Sequence, residues 1–384
     1  TGPAPTNCVG LPVTRQVIVN PVARIANKTA DICSGGTFTV TPSNGGTEIV
    51  PSGTTYTWSA PVISPAGSIT GGSAQPTGQT SISQALINTT NASATATYTV
   101  TPQSGTCTGP TFTVTVTVNP VPSISNKTAT ICSGGTFTVT PANGGSEIVP
   151  SGTTYTWSAP VISPAGSITG GSGQATGQTS ISQALTNTTN ASATATYTVT
   201  PQSGTCTGLT FEVTVTVNPV PSISNKTAII CSGGTFTVTP VNGVLEIVPS
   251  GTTYTWTAPV ISPAGSITGG SGQATGQTSI SQALINTTNA SATATYTVTP
   301  QSGTCTGPTF TVTVTVNPVP SISNKTATIC SGGTFTVTPA NGGSEIVPSG
   351  TTYTWSAPVI SPAGSITGGS GQATGQTSIS QALT

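Results

Sequence analysis

The chain has 384 residues, of which only 3% are charged, six basic against six acidic, with no histidine and no net charge. Ordinary soluble proteins carry about a quarter of charged residues, and so weak a charge excludes a nucleic-acid binder, which needs many Lys and Arg contacts to phosphate, and a polybasic membrane patch. No apolar run approaches the roughly 18–20 residues of a membrane helix, so no membrane insertion is expected in this segment. The 46 glycines and 32 prolines punctuate β-like runs and form no low-complexity tracts, which favours a folded chain.

From the N-terminus, residues 1–20 read as the last strand of a preceding repeat, with Cys8 in its turn. An Asn-Pro-Val-Ala hinge follows at Asn20–Ala23, and then the sequence repeats. The segment ICSGG places Cys33, Cys132, Cys231 and Cys330 at intervals of 99 residues, and Cys8, Cys107, Cys206 and Cys305 keep the same interval. A period near 100 is too long for a solenoid repeat and fits one small domain per copy. The expected domains are 21–119, 120–218 and 219–317, with an incomplete one at 318–384. The copies are nearly identical. Their main departures are VNGVLE (Val241–Glu246), Glu212 in place of Thr, and the leading segment. The chain begins at Thr1 and stops inside a repeat, which reads as an excerpt of a longer exported protein.

Within a repeat every element reads as β. TFTVTP (Thr136–Pro141), TYTWSAP (Thr154–Pro160), ATATYTVTP (Ala193–Pro201) and TFTVTVTV (Thr111–Val118) alternate polar with apolar, the period of a half-buried strand. SITGGSG and SISQAL supply shorter strands or edges. Gly-Gly, Pro-Ser-Gly and Asn-Gly-Gly mark the turns. The hinges at 119–122, 218–221 and 317–320 carry two prolines each, which makes short, semi-rigid joints. About seven short strands in about 100 residues describe an immunoglobulin-like β-sandwich. The fold class is therefore all-β, with tandem sandwiches in a linear array. Phe38, Trp58 and Tyr98, with their counterparts Phe137, Trp157, Tyr197, Phe236, Trp256 and Tyr296, are the expected core. Val139 is placed inward beside Phe137. Threonine rows that could order water are expected on only one or two strands of each repeat.

The combination ICSGG…TYTWSAP…GQTSISQAL…ATYTVTPQSGTCTG…TVTVTVNPVP resembles the PKD-like, immunoglobulin-like repeats of giant cell-surface adhesins of Bacteroidota, among them gliding-motility adhesins exported by the type IX secretion system. The resemblance covers every full repeat. It implies an extracellular tandem array that spaces a binding tip from the cell or itself contacts a surface.

Catalysis is not expected, because there is no histidine base and each full repeat holds one Lys (Lys28, Lys127, Lys226) and one recurring Glu (Glu48, Glu147, Glu246). Lys325 and Glu345 continue the series. These pairs are read as solvated, in preference to a Lys–Asn cross-link through Asn126. Asp31 is the only aspartate, so calcium joints and cofactors are not expected. The acceptor patterns at Asn126, Asn187 and Asn190 are read as products of composition.

The cysteines read as disulfides. Three periodic schemes exist: a staple Cys33–Cys107 within a repeat, a clip Cys107–Cys132 across the hinge, and a bridge Cys33–Cys206 between repeats. In a sandwich the two cysteine turns lie at opposite poles, farther apart than a disulfide reaches. Head-to-tail stacking favours Cys33–Cys206 and Cys132–Cys305, with Cys8, Cys107, Cys231 and Cys330 open or paired beyond the segment. The within-repeat staple remains the alternative if the strand order differs. The expected role is the stalk of a surface adhesin. A lectin-like array and a self-assembling sheath stand as alternatives, with neighbouring repeats, surface polysaccharide or identical filaments as partners.

Overall fold

The structure, a computed structural model, describes residues 2–3 and 10–384. Every helix or strand among the described residues is a strand, and no helix is long and apolar enough to cross a membrane. The first repeat contains β1 (Lys28–Cys33), β2 (Thr37–Val40), β3 (Thr55–Trp58), β4 (Val62–Ser64), β5 (Ile69–Thr70), β6 (Gln75–Gln79), β7 (Ile82–Ala85), β8 (Ile87–Asn88), β9 (Ala94–Ser104), β10 (Cys107–Thr108) and β11 (Phe112–Asn119). The same eleven strands recur over 127–218 and 226–317. This exceeds the seven or so read from periodicity, because β4, β5, β8 and β10, of two or three residues each, are too short to show one.

The alternation of side chains sets the register. In β9 the residues Ala94, Ala96, Tyr98 and Val100 are buried, while the threonines between them face outward. β11 buries Phe112, Val114, Val116 and Val118 in the same way. Slippage by one residue would put a row of threonines into the core, so the pairing is strongly specified. The larger sheet runs β1-β11-β9-β3-β6, with β4 and β10 also on β9, and the ribbons β2–β7 and β5–β8 complete the unit. Between these layers Phe38, Tyr56, Trp58, Ile82, Leu86 and Tyr98 meet the valines of β11.

None of Phe38, Trp58, Tyr98, Phe137, Trp157, Tyr197, Phe236, Trp256 and Tyr296 is more than 7% exposed. Val139 packs only partly buried at the margin of the core. Phe38 and Tyr98 lie with ring centroids 5.3 Å apart, and Tyr56 meets Phe112 edge-on at 6.2 Å. Such pairs contribute about 0.5–1.5 kcal/mol beyond their buried area. Burial pushes the Tyr98 phenol up to about 12, and its hydroxyl donates to Gln84 Oε1 at 2.9 Å.

Two features of the larger sheet position everything that follows. β1 and β11 are neighbours and run parallel, from Lys28 opposite Val114 to Cys33 opposite Asn119. The chain therefore enters a repeat at one pole and leaves it at the other. The outward face also carries threonine on more strands than the sequence reading allowed. Thr29, Thr115 and Thr97 form a row across β1, β11 and β9.

Candidate functional site: the joint between repeats

At the exit pole, Cys33 ends β1 level with Asn119, the last residue of β11. The Ser34 N–H donates to the Asn119 carbonyl at 2.8 Å. Asn88, 2% exposed, ties this pole together. Its amide donates to the carbonyls of Ala92 (2.7 Å) and Val118 (2.8 Å), and its Oδ1 accepts from the Thr90 N–H and hydroxyl, both at 2.8 Å. Its equivalents Asn187 and Asn286 are as deeply buried, so the acceptor pattern at Asn187 marks a structural asparagine.

At the entry pole of the next repeat stands the hairpin in which Ser203 pairs with Cys206. The last hinge residue, Pro122, lies against Gly208. A Cβ on Gly208 would stand 2.2 Å from the Pro122 carbonyl, so the close approach requires glycine. The hinge thus lands beside Cys206, and both of its prolines, Pro120 and Pro122, are buried.

These two poles meet. Cys33 is bonded to Cys206 with Cα atoms 5.6 Å apart, and Cys132 to Cys305 at the same distance, each across 173 residues of sequence. Cys206 and Cys305 are 1% exposed. Cys107 lies on the hairpin at the pole opposite Cys33, opposite Ser104, and forms no bridge with it. Cys107, Cys231 and Cys330 are free thiols, and Cys8 lies outside the described residues. Each bridged joint therefore has two covalent connections, leaving neighbouring residues of one repeat and arriving at neighbouring residues of the next.

Beside each bridge lies a cleft. At the first joint it holds about 540 Å³ between Asn91–Ser93 and Asn119-Pro120 on one side and Pro150, Ser151 and the Ser203–Cys206 hairpin on the other. At the second joint about 360 Å³ is lined by the same positions 99 residues on, from Asn190 to Thr304. No charged side chain lines either cleft.

Near the entry pole, Lys127 Nζ donates to Glu147 Oε1 at 2.5 Å, and Glu147 also accepts from the Ser125 N–H (3.1 Å) and the Ser125 hydroxyl. The Lys127 hydrogen bond, and then the Ser125 hydroxyl, hold the carboxyl down at about 2. The sequence reading treats this pair as solvated. The Glu147 side chain is instead only 13% exposed, because Ser125 and Lys127 close over it. Asn126, the suggested cross-linking partner, has its Oδ1 committed to the Glu212 N–H at 2.8 Å. Among the described residues no group of three or more His, Cys, Asp or Glu side chains comes together.

Sequence reasoning missed the division of labour among the asparagines. Asn88 and Asn91 both sit in Asn-x-Ser/Thr patterns, yet one is a buried strut and the other lines the cleft. It also missed Gly208, whose signal was its constant place two residues after Cys206.

Residues 30–122, 129–221 and 228–320 each match the family model of the PKD-like domain. The chain belongs to the PKD-like domain family. Each PKD-like match runs from within the first strand of a repeat to the end of the following hinge, taking in the rest of that strand and the ten that follow. Among solved structures, the titin I-band fragment I67–I69 matches with a TM-score of 0.34 and 10% identity, covering 77% of this chain and 97% of that one. The human desmocollin-1 ectodomain matches with a TM-score of 0.27 and 11% identity, covering 94% of this chain and 73% of that one. No curated protein matches the chain.

Proposed function

We propose that this PKD-like array is a non-catalytic, load-bearing stalk of an extracellular bacterial adhesin, of the Bacteroidota type exported by type IX secretion and used in gliding, with modules dividing at the hinges after Asn20, Asn119, Asn218 and Asn317. The observation that carries the reading is the bridge across each complete joint, Cys33–Cys206 and Cys132–Cys305. A loose string of domains gains nothing from it, whereas a spacer under tension gains stiffness and a second load path. The parallel β1–β11 pair supports the same reading. Without the bridge, tension applied at the two poles pulls β1 and β11 in opposite directions and shears the ladder between them; the bridge at Cys33 passes part of that load along β1 directly into the next repeat. Oxidised bridges also fit an exported chain.

Single-molecule stretching tests this. Unfolded and reduced, the chain extends by roughly 3.3–3.6 Å per residue over all of its length. With both bridges intact, the shortest covalent route runs from Thr1 to Cys33, across to Cys206, back to Cys132, across to Cys305 and on to Thr384. That route is roughly half the unbridged contour. Reductant should therefore about double the maximum extension. Equal extension with and without reductant, or unfolding at forces no higher than those of an unstructured chain, defeats the stalk.

A further inference from the structure

The asparagines of one repeat can be accounted for one at a time. Asn27 Oδ1 accepts from the Thr113 N–H at 2.9 Å, Asn44 Oδ1 from the Val50 N–H at 3.1 Å, and Asn119 Oδ1 from the Ser93 hydroxyl at 2.7 Å. Asn88 is the strut of the exit pole. Among the described residues, only Asn91 of this repeat makes no hydrogen bond within the protein. The second and third repeats show the same division: Asn126, Asn143, Asn187 and Asn218 are committed in one, and Asn225, Asn242, Asn286 and Asn317 in the other. Asn190 and Asn289 are left free. All three free amides line inter-repeat clefts, Asn91 and Asn190 at the bridged joints and Asn289 at the joint after Asn317.

The geometry points to a subsite for a neutral, hydroxyl-rich glycan at each bridged joint, with Asn91 or Asn190 as its principal hydrogen-bonding side chain. An amide offers two donors and an acceptor, which matches vicinal hydroxyls. Across the first cleft, Ser151, Ser203 and Thr205 present hydroxyls that make no other side-chain hydrogen bond, and the buried Pro120 and Pro150 form part of the floor. The absence of any lining charge disfavours anions and cations alike. The volumes of about 540 and 360 Å³ lie within the usual range of small-molecule sites. The wall at Cys206 is held by its bond to Cys33, so the two sides of the cleft are organised before a ligand arrives. Equivalent clefts at a fixed spacing also let one polymer engage several joints, which raises avidity without new contacts. This inference does not depend on the array bearing load.

The test uses the full oxidised chain. Its retardation is measured by affinity electrophoresis in gels containing dextran, laminarin, xylan, galactomannan or hydroxyethyl cellulose, and the affinity for the matching hexasaccharide is measured by titration calorimetry. At least one polymer should retard the chain, and added salt should not reverse it. Asn91→Ala, Asn190→Ala and Asn289→Ala combined should weaken binding about tenfold while the thermal midpoint stays in place, because these amides hold nothing inside the protein. Replacing all four bridging cysteines by Ser should also weaken binding. Retardation by none of the polymers, unchanged affinity in the triple Asn variant, or a native chain bearing a covalent hexose on Asn91 overturns the proposal.

Discussion

The six residues KTATIC occur twice, at Lys127–Cys132 and again at 325–330, and adopt different structures. The first copy is a strand, paired residue by residue with Phe211–Asn218. The second copy has no ladder at all, and the residues that follow form only Thr334–Val337, Tyr353–Trp355, Gln372–Gln376 and Ile379–Ala382. Strands equivalent to β9 and β11 are not among the described residues of this repeat. Phe335, Tyr353 and Trp355 are accordingly half-buried, where their counterparts Phe137, Tyr155 and Trp157 are buried. The first strand of a repeat is thus made by the last one. The late strands also supply the bridging cysteine and cover the hinge prolines, so core, joint and brace arise together.

The most drastic way to break this contrast is to damage a late strand in a complete repeat. Val314 is fully buried between Ala228 and Ala294. Val314→Asp buries a lone carboxylate, at a cost above about 4 kcal/mol, and should turn the third repeat into a state like that of 318–384. The segment KTAIIC (Lys226–Cys231) differs in sequence from its neighbours, so its amide exchange can be followed by mass spectrometry. Its protection should vanish. Retained protection there would show that the strand forms without its partner.

Removing one brace is the next step down. Cys33→Ser with Cys206→Ser opens a loop spanning 173 residues. The expected loss is about 2–4 kcal/mol in denaturant unfolding, confined to the two repeats that the bridge joins. Reductant should reproduce it in the parent chain and do nothing further in the variant at that joint.

The Lys–Glu pair sharpens the contrast because it survives in both contexts. Lys325 still contacts Glu345 although 325–330 forms no strand, so the pair does not depend on the ladder that its lysine opens in the complete repeats. Lys127 and Ser125 lower the Glu147 carboxyl from 4.5 to about 2, so the folded state holds its proton more weakly than the unfolded one. That stabilisation is complete above 4.5 and is lost as pH falls toward about 2. The thermal midpoint should drop across that window. Glu147→Gln should flatten the second repeat's share of the slope while leaving the strand Lys127–Cys132 intact.

Much of this was legible in the residues. The strict alternation in TFTVTVTV and ATATYTVTP gave the buried faces, and the 99-residue period gave the array. The poles of a sandwich pointed to cysteines meeting across a joint. Three things were hidden for physical reasons. Alternation carries no direction, so nothing in KTATIC or TFTVTVTV says that β1 and β11 run parallel. Short ribbons such as Ile69–Thr70 depend on tertiary pairing and have no period of their own. Asn88 and Asn91 share a composition, and only the fold decides which of them is buried.

The converse case, a local change of sequence within an unaltered fold, has the smallest effect. Trp157, Trp256 and Trp355 donate their indole N–H to the carbonyls of Ser172, Ser271 and Ser370 at 3.1–3.2 Å, whereas the buried Trp58 Nε1 has no partner. Ser73 is held by Gln84 as its counterpart Ser172 is by Gln183, so the loop itself is in place. Two residues differ beside it: Ala74 stands where the second repeat has Gly173, and Pro76 where it has Ala175; Ala74 is the one next to Ser73. A Cβ on Gly173 would meet Ala159 N at 3.1 Å and Trp157 O at 3.3 Å, closer than the loop accepts without shifting, and a shift at Ala74 breaks the neighbouring indole bond. Ala74→Gly should restore it. The net change in stability should stay within about 1 kcal/mol, because the regained hydrogen bond is offset by the greater freedom of glycine in the unfolded chain. The readout is therefore the indole N–H resonance of Trp58, which should move toward those of Trp157 and Trp256. If it stays apart while the rest of the spectrum is unchanged, the methyl group of Ala74 is not what separates the first repeat from its copies.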